Sequence, residues 1–206
     1  MESKRAFSIL CPIPEPNRQE AAGLFWQAFS DKLDKLMGPK AKAVEFFAHV
    51  LDPSHGIAAV DPAGKLLGMA GFKTANGALI GGELSDMCRT YGSFGGLWRG
   101  VLLSVLERDL DRDTLLMDGI VVTEQARGHG VGTALLDAVT QQACKLGKLW
   151  VRLDVIDSNP RARSLYERRG FVPTGDIKLG PFSRIFGFRK ATTMRFDVKT
   201  AELRPE

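Results

Sequence analysis

From Thr114 to Gly147 the chain reads TLLMDGIVV, then TEQARGHGVG, then TALLDAVTQQACKLG. A strongly apolar run is followed by a turn with a glycine at every second position, and then by Val131, Leu135, Ala138, Val139 and Leu146 on one predicted helix face that ends at Gly147. The order is therefore strand, glycine turn, helix. Glycine is a poor residue for starting a helix, so Gly128, Gly130 and Gly132 imply a tight turn or a close approach to something else. A turn at a helix mouth aims unpaired N–H groups one way, and the helix dipole adds partial positive charge, so phosphate is the natural guest. Side chains at the three glycines would stand between those amides and a pyrophosphate, and Arg127 adds a fixed positive charge beside them. Two common phosphate loops are excluded: there is no GK[ST], and GxGxG is not GxGxxG.

The rest of the chain supplies alternating elements around this unit. A strand is expected near Phe7 to Cys11, then a helix with Ala21, Leu24, Phe25, Ala28, Phe29, Leu33 and Leu36 at helical spacing, stopped by Gly38 and Pro39. AKAVEFFAHVLD predicts a second helix, and HGIAAVDPAGKLLGMAGFKT a β-hairpin turning at Asp61–Gly64. Between Leu79 and Asp111 the pattern returns to helix, split in two by Gly92, Gly95 and Gly96, as an insertion between strands; its most apolar part, from Phe94 to Asp109, reads as a buried helix. That part carries Arg99 and falls short of the roughly 20 apolar residues of a membrane span. LWVRLDVI alternates with period two, Asn159 and Pro160 open a further helix, and FVPTGDI and ATTMRFDV read as strands joined by a long basic, aromatic loop.

RGHGVG matches the pyrophosphate loop R/Q-x-x-G-x-G/A of the GNAT superfamily of acetyl-CoA-dependent N-acetyltransferases, here as Arg127, Gly130 and Gly132. NPRARSLYERRGF matches that superfamily's second block, with Asn159, Ala162, Tyr166, Gly170 and Phe171 in order. The chain thus resembles this family most clearly over residues 115–171. The resemblance implies an α/β fold: a central mixed, mostly antiparallel twisted sheet flanked by helices, here with a helical insertion before the cofactor-binding strand. It also implies acetyl-CoA as acyl donor, no metal, a splayed strand pair, and pantetheine along Ile120, Val121 and Val122. Arg127, Gly128, Gly130, Val131, Gly132 and Thr133 would then hold the pyrophosphate, while Asn159 and Ala162 face the thioester. The inserted helices and the long loop KLGPFSRIFGFRK depart from the family pattern and leave the acceptor site open.

Tyr166 is the expected general acid toward the departing thiolate, its alternative being a core aromatic whose hydroxyl only bonds pantetheine. Asp118, a carboxylate within an apolar strand and spaced to share a face with Ile120 and Val122, is the expected base or else a structural group. A bulge would break that face argument. Glu83 and Asp86 are rivals; His129 points to solvent above the phosphates, and His49 and His55 lack sequence partners. A backbone N–H near Val122 would polarise the acetyl carbonyl. Cys144 has no nearby histidine in sequence, which favours direct transfer in a ternary complex over an acyl-cysteine.

Length and composition complete the expectation. With 206 residues, 44% hydrophobic and 25% charged, one N-acetyltransferase domain over 1–206 is the default. Three scattered cysteines without a CxxC pair and no signal peptide point to the cytoplasm. A net charge of +4 decides little about partners, and no nucleic-acid motif accompanies it. The expected partner is a small-molecule primary amine, with no membrane and no nucleic acid, and a homodimer through the apolar inserted helices is compatible. Competing readings are a noncatalytic acyl-CoA-binding regulatory module and an enzyme acting on a peptide or tRNA-linked amine.

Overall fold

The structure, a computed structural model, describes residues 6–104, 110–180, 183 and 188–202. Strand β1 (Ser8–Leu10) is followed by helices α1 (Arg18–Met37) and α2 (Lys40–Val50), then by β2 (Gly56–Val60), β3 (Leu66–Thr74) and a short β4 (Gly77–Ala78). Helices α3 (Leu84–Tyr91) and α4 (Ser93–Ser104) lead to β5 (Thr114–Val122), α5 (Val131–Lys145), β6 (Trp150–Ile156), α6 (Pro160–Arg168), β7 (Val172–Lys178) and β8 (Lys190–Asp197).

The eight strands form one sheet in the order β1-β2-β3-β5-β6-β8-β7, with β4 paired to β3. Every pairing is antiparallel except β5 with β6, which are joined through α5. A parallel neighbour needs a crossover, and the helix after the glycine turn supplies it. The mixed, mostly antiparallel α/β sheet expected from the sequence is thus the observed one.

Each face of the sheet has its own core. Val131, Leu135, Leu136, Val139 and Ala143 of α5 pack on Ile57, Ala70, Phe72, Leu115, Met117, Val151, Leu153 and Met194. On the other face, Ala21 and Leu24 of α1 meet Ala58, Val60, Met69 and Leu79. A fully buried Leu or Val contributes about 1.5–3 kcal/mol, so the α5 stripe is what fixes the glycine turn against the sheet. That stripe ends sooner than its spacing suggests. Leu146 follows the last helical turn and is exposed, as is Leu149 before β6. In α1, Ala22 and Trp26 are buried while Ala28 faces out; the side chains of Phe29, Leu33 and Leu36 lie outside those described, as does Arg184 of the long loop.

The insertion is two helices, divided at Gly92 with φ +76°. Among its described side chains Met87 is buried, whereas Phe94 is 84% exposed, with Leu97 and Leu84 also outward; the side chains of 98, 99 and 101–104 lie outside those described. A Cβ on Gly96 would lie 2.5 Å from the Cys88 backbone, so α4 closes on α3 through its glycine side and turns Phe94 away. Residues 105–109 of this stretch lie outside the described part.

Candidate active site

Strands β5 and β6 pair over only four positions, from Thr114↔Trp150 to Met117↔Leu153. Beyond Met117, β5 continues along β3 to Val122, and β6 continues along β8 to Ile156. One edge of Asp118–Val122 is therefore left without a strand partner, which opens a cleft in the middle of the sheet.

The glycine turn stands at the end of that edge. Gly128 and Gly130 have φ +80° and +79°, and a Cβ at either would meet nothing within 4 Å. Their requirement is conformational, since L side chains avoid this region, and the space above them is open. Gly132 differs: it is inside α5, and a Cβ there would sit 3.7 Å from Val122 and 3.8 Å from Leu165. It brings the first turn of α5 against the end of β5 and against α6. No side chain caps α5, whose N-cap is Gly130, so the first amides of the helix face outward. Val131 contributes backbone only, its side chain being buried in the core; Thr133 is half-buried. Arg127 is exposed, donates from Nε to the Val122 carbonyl at 3.4 Å and lies 3.8 Å from Glu124. His129 Nδ1 is 2.9 Å from the Arg127 carbonyl, a contact internal to the turn.

Helix α6 closes the other wall. Asn159 is its N-cap, its Oδ1 accepting from the Ala162 amide at 3.2 Å, while Ala162 and Leu165 pack partly on the main core. Arg169, just past α6, is ion-paired to Asp137 of α5. Tyr166 is buried beside Phe171, with ring centroids 5.9 Å apart. Its hydroxyl has no hydrogen-bond partner among the described residues and is not fully enclosed by protein. Burial pushes the phenol up to about 12, which keeps it in the proton-bearing form.

The glycine turn thus stands at the end of a splayed strand edge, and α6 with its buried Tyr166 packs into the same core. A family model for the acetyltransferase (GNAT) family matches residues 19–171. The chain belongs to the GNAT acetyltransferase family. Its fold is similar to an N-acetyltransferase from Staphylococcus aureus Mu50 at TM-score 0.68 and 17% identity, over 92% of this chain and 100% of that one. A GCN5-related N-acetyltransferase from Kribbella flavida aligns at TM-score 0.61 and 16% identity, over 95% and 99% of the two chains. Ard1 from Thermoplasma volcanium aligns at TM-score 0.58 and 19% identity, over 93% and 97%. At such identities these likenesses concern the fold. No curated protein matches the chain by sequence.

Within this GNAT sheet, Asp118 departs from the sequence expectation. Gly71 pairs with Gly119 while Phe72 pairs with Met117, so Asp118 is the extra residue of a β-bulge. Met117 and Ile120, three apart, both pack on the α5 core, whereas Val121 packs on the α1 core. Ile120 and Val122 share the α5 face, and the bulge takes Asp118 out of that alternation. The bulge interrupts the ladder and leaves Asp118 open to solvent. Although the residue is exposed, desolvation of its carboxyl by the surrounding protein raises it to about 6, opposed by the charges of Lys73 and His55.

The rival groups are engaged elsewhere. Asp86 accepts from the Glu83 amide at 2.9 Å at the start of α3 and lies 3.6 Å from His49. His55 does have partners, contrary to the sequence reading: Nδ1 is 2.8 Å from Asp52 and Nε2 is 3.3 Å from Thr74. The Asp52–His55 spacing was visible in the chain, but Thr74 arrives only through the β2–β3 pairing. Among the described residues no group of His, Cys, Asp and Glu could hold a metal, and no helix is long and apolar enough to cross a membrane.

Proposed function

We propose that the protein transfers an acetyl group from acetyl-CoA to a primary amine of a small molecule, by direct attack in a ternary complex. The observation that carries this reading is the unpaired edge of Asp118–Val122, with the uncapped first turn of α5 packed beside its end at Val122. Acetyl-CoA, when bound, supplies an activated thioester. Ile120, Val121 and Val122 offer backbone groups to the pantetheine arm, and an N–H near Val122 holds the carbonyl oxygen where negative charge develops. Gly128, Gly130, Val131, Gly132 and Thr133 present amides to the pyrophosphate, with Arg127 beside them. Asn159 and Ala162 line the α6 wall. Asp118 accepts the proton of the attacking amine, and Tyr166 donates one to the departing thiolate. Cys144 is exposed on α5 and takes no part.

We take residues 1–206 as one domain acting in the cytoplasm, in keeping with three scattered cysteines and no CxxC pair. We assign a homodimer to the outward apolar residues Leu84, Phe94 and Leu97.

Purified protein incubated with acetyl-CoA and a mixed amine panel tests the reading. Expected is an acetylated primary amine, identified by mass, with one CoA released per product. Product found only on peptide or tRNA amines, or no acetylated amine from a panel that spans these classes, would overturn it. Sedimentation of the same preparation should give a dimer that Phe94→Ser dissociates.

A further inference from the structure

Tyr166 is fixed near the end of α6 by its backbone as well as by its ring. The Gly170 amide donates to the Glu167 carbonyl and the Phe171 amide to the Tyr166 carbonyl, each at 3.0 Å, with Gly170 at φ +90°. This is the paired closure of a helix that ends in a left-handed glycine, and it folds the residue after the glycine back over the last turn. The contact between the Tyr166 and Phe171 rings is the apolar half of that closure. Arg169 lies within it, its own amide donating to the Leu165 and Tyr166 carbonyls. From there its side chain reaches α5, where Nη2 donates to Asp137 Oδ2.

Two contacts therefore join α6 to α5. One is at Gly132, where a Cβ would sit 3.8 Å from Leu165; the other is the ion pair of Asp137 with Arg169. They are spaced a little over one turn along each helix, and Tyr166 follows Leu165 directly inside that interval. We propose that Asp137 and Arg169 are positioning residues: their ion pair holds the end of α6 on α5 and so fixes where the Tyr166 hydroxyl stands. This rests on the reading of Tyr166 as the proton donor. With side chains 37% and 35% exposed, the pair adds little to stability, but a charge-assisted N–H···O contact is directional. Its effect is on where the helix end sits more than on whether the chain folds. A proton donor has to meet its acceptor at hydrogen-bond distance, and α5 begins at the glycine turn proposed to hold the pyrophosphate. Tying α6 to α5 thus ties the donor to the anchor of the acetyl donor, where a misplacement of about 1 Å costs as much as 10²-fold.

Asp137→Ala and Asp137→Glu, with Asp137→Ala also made in Tyr166→Phe, test this; alanine favours helix, so α5 is retained. The chain has two tyrosines, Tyr91 and Tyr166, so in protein carrying carbon-labelled tyrosine the Tyr166 NMR signal is the one that Tyr166→Phe removes. In Asp137→Ala that signal should move and kcat should fall about tenfold, while the KM for acetyl-CoA and the melting temperature change little. Asp137→Glu keeps a carboxylate for Arg169 and should restore the signal and most of kcat. In Tyr166→Phe the alanine should cost nothing further in kcat, because its effect passes through a hydroxyl already gone. A Tyr166 signal unmoved in folded Asp137→Ala would overturn the proposal, as would a kcat loss that adds in full to that of Tyr166→Phe. If the signal moves but Tyr166→Phe itself leaves kcat unchanged, the reading of Tyr166 as acid fails and the positional role of the ion pair stands.

Discussion

Tyr166→Phe lowers kcat about 10²-fold, the lower end of what a positioned general acid contributes, with little change in acetyl-CoA affinity. The substitution removes one oxygen from a buried ring whose packing on Phe171 and the main core is otherwise retained. Since that hydroxyl has no protein partner among the described residues, its loss orphans nothing, and the melting temperature should hold or rise. Activity falling while stability does not separates a proton donor from a structural aromatic. With the phenol raised to about 12 by burial, the wild type should show no alkaline loss from this group below about pH 10. A Tyr166→Phe enzyme with unchanged kcat would reduce the residue to a wall of the cleft.

Asp118→Asn should cost about 10²-fold in kcat/KM at pH 8 and abolish the acidic limb, which in the wild type falls through about 6. The same change has an opposite effect on stability. Burial raises this carboxyl in the folded state above its ordinary value, so between about pH 4 and 6 the folded protein binds more protons than the unfolded chain. Its contribution to stability is therefore full below about 4, declines as the pH rises to about 6, and stays as a penalty above that. An asparagine cannot ionise. Thermal melts should accordingly find Asp118→Asn more stable than wild type at pH 8 and similar at pH 4. Equal melting curves at pH 8 would mean that the carboxylate is not desolvated in the folded state; an unchanged pH–rate profile would remove it from the chemistry.

What the sequence made legible was local. The apolar strand, the glycine turn and the amphipathic helix are contiguous, so their order could be read directly, as could Asn159 and Pro160 opening α6. The bulge was not legible, because it is a property of the β3–β5 register and nothing in TLLMDGIVV marks which residue is extra. Simple alternation therefore misplaced Asp118 relative to Ile120 and Val122. Lys73 and Thr74 escaped for the same reason: their neighbours come from other strands. The outward Phe94 of α4 was not legible because hydropathy counts residues, whereas the close approach at Gly96 sets which side meets α3. Gly132 was grouped with Gly128 and Gly130 by spacing, yet only those two adopt positive φ.

The most direct measurement is calorimetric binding of acetyl-CoA to the wild type, Gly130→Ala and Gly64→Ala. Both glycines have positive φ, +79° and +81°, with open space where a Cβ would stand, so each alanine should cost about 1–2 kcal/mol of folding stability. Only Gly130 belongs to the proposed pyrophosphate turn. Expected is saturable binding to the wild type, unchanged in Gly64→Ala and weakened about tenfold or more in Gly130→Ala, as when amides at a helix N-terminus are displaced from an anion. Binding that Gly130→Ala leaves intact, or no binding to the wild type, would contradict it.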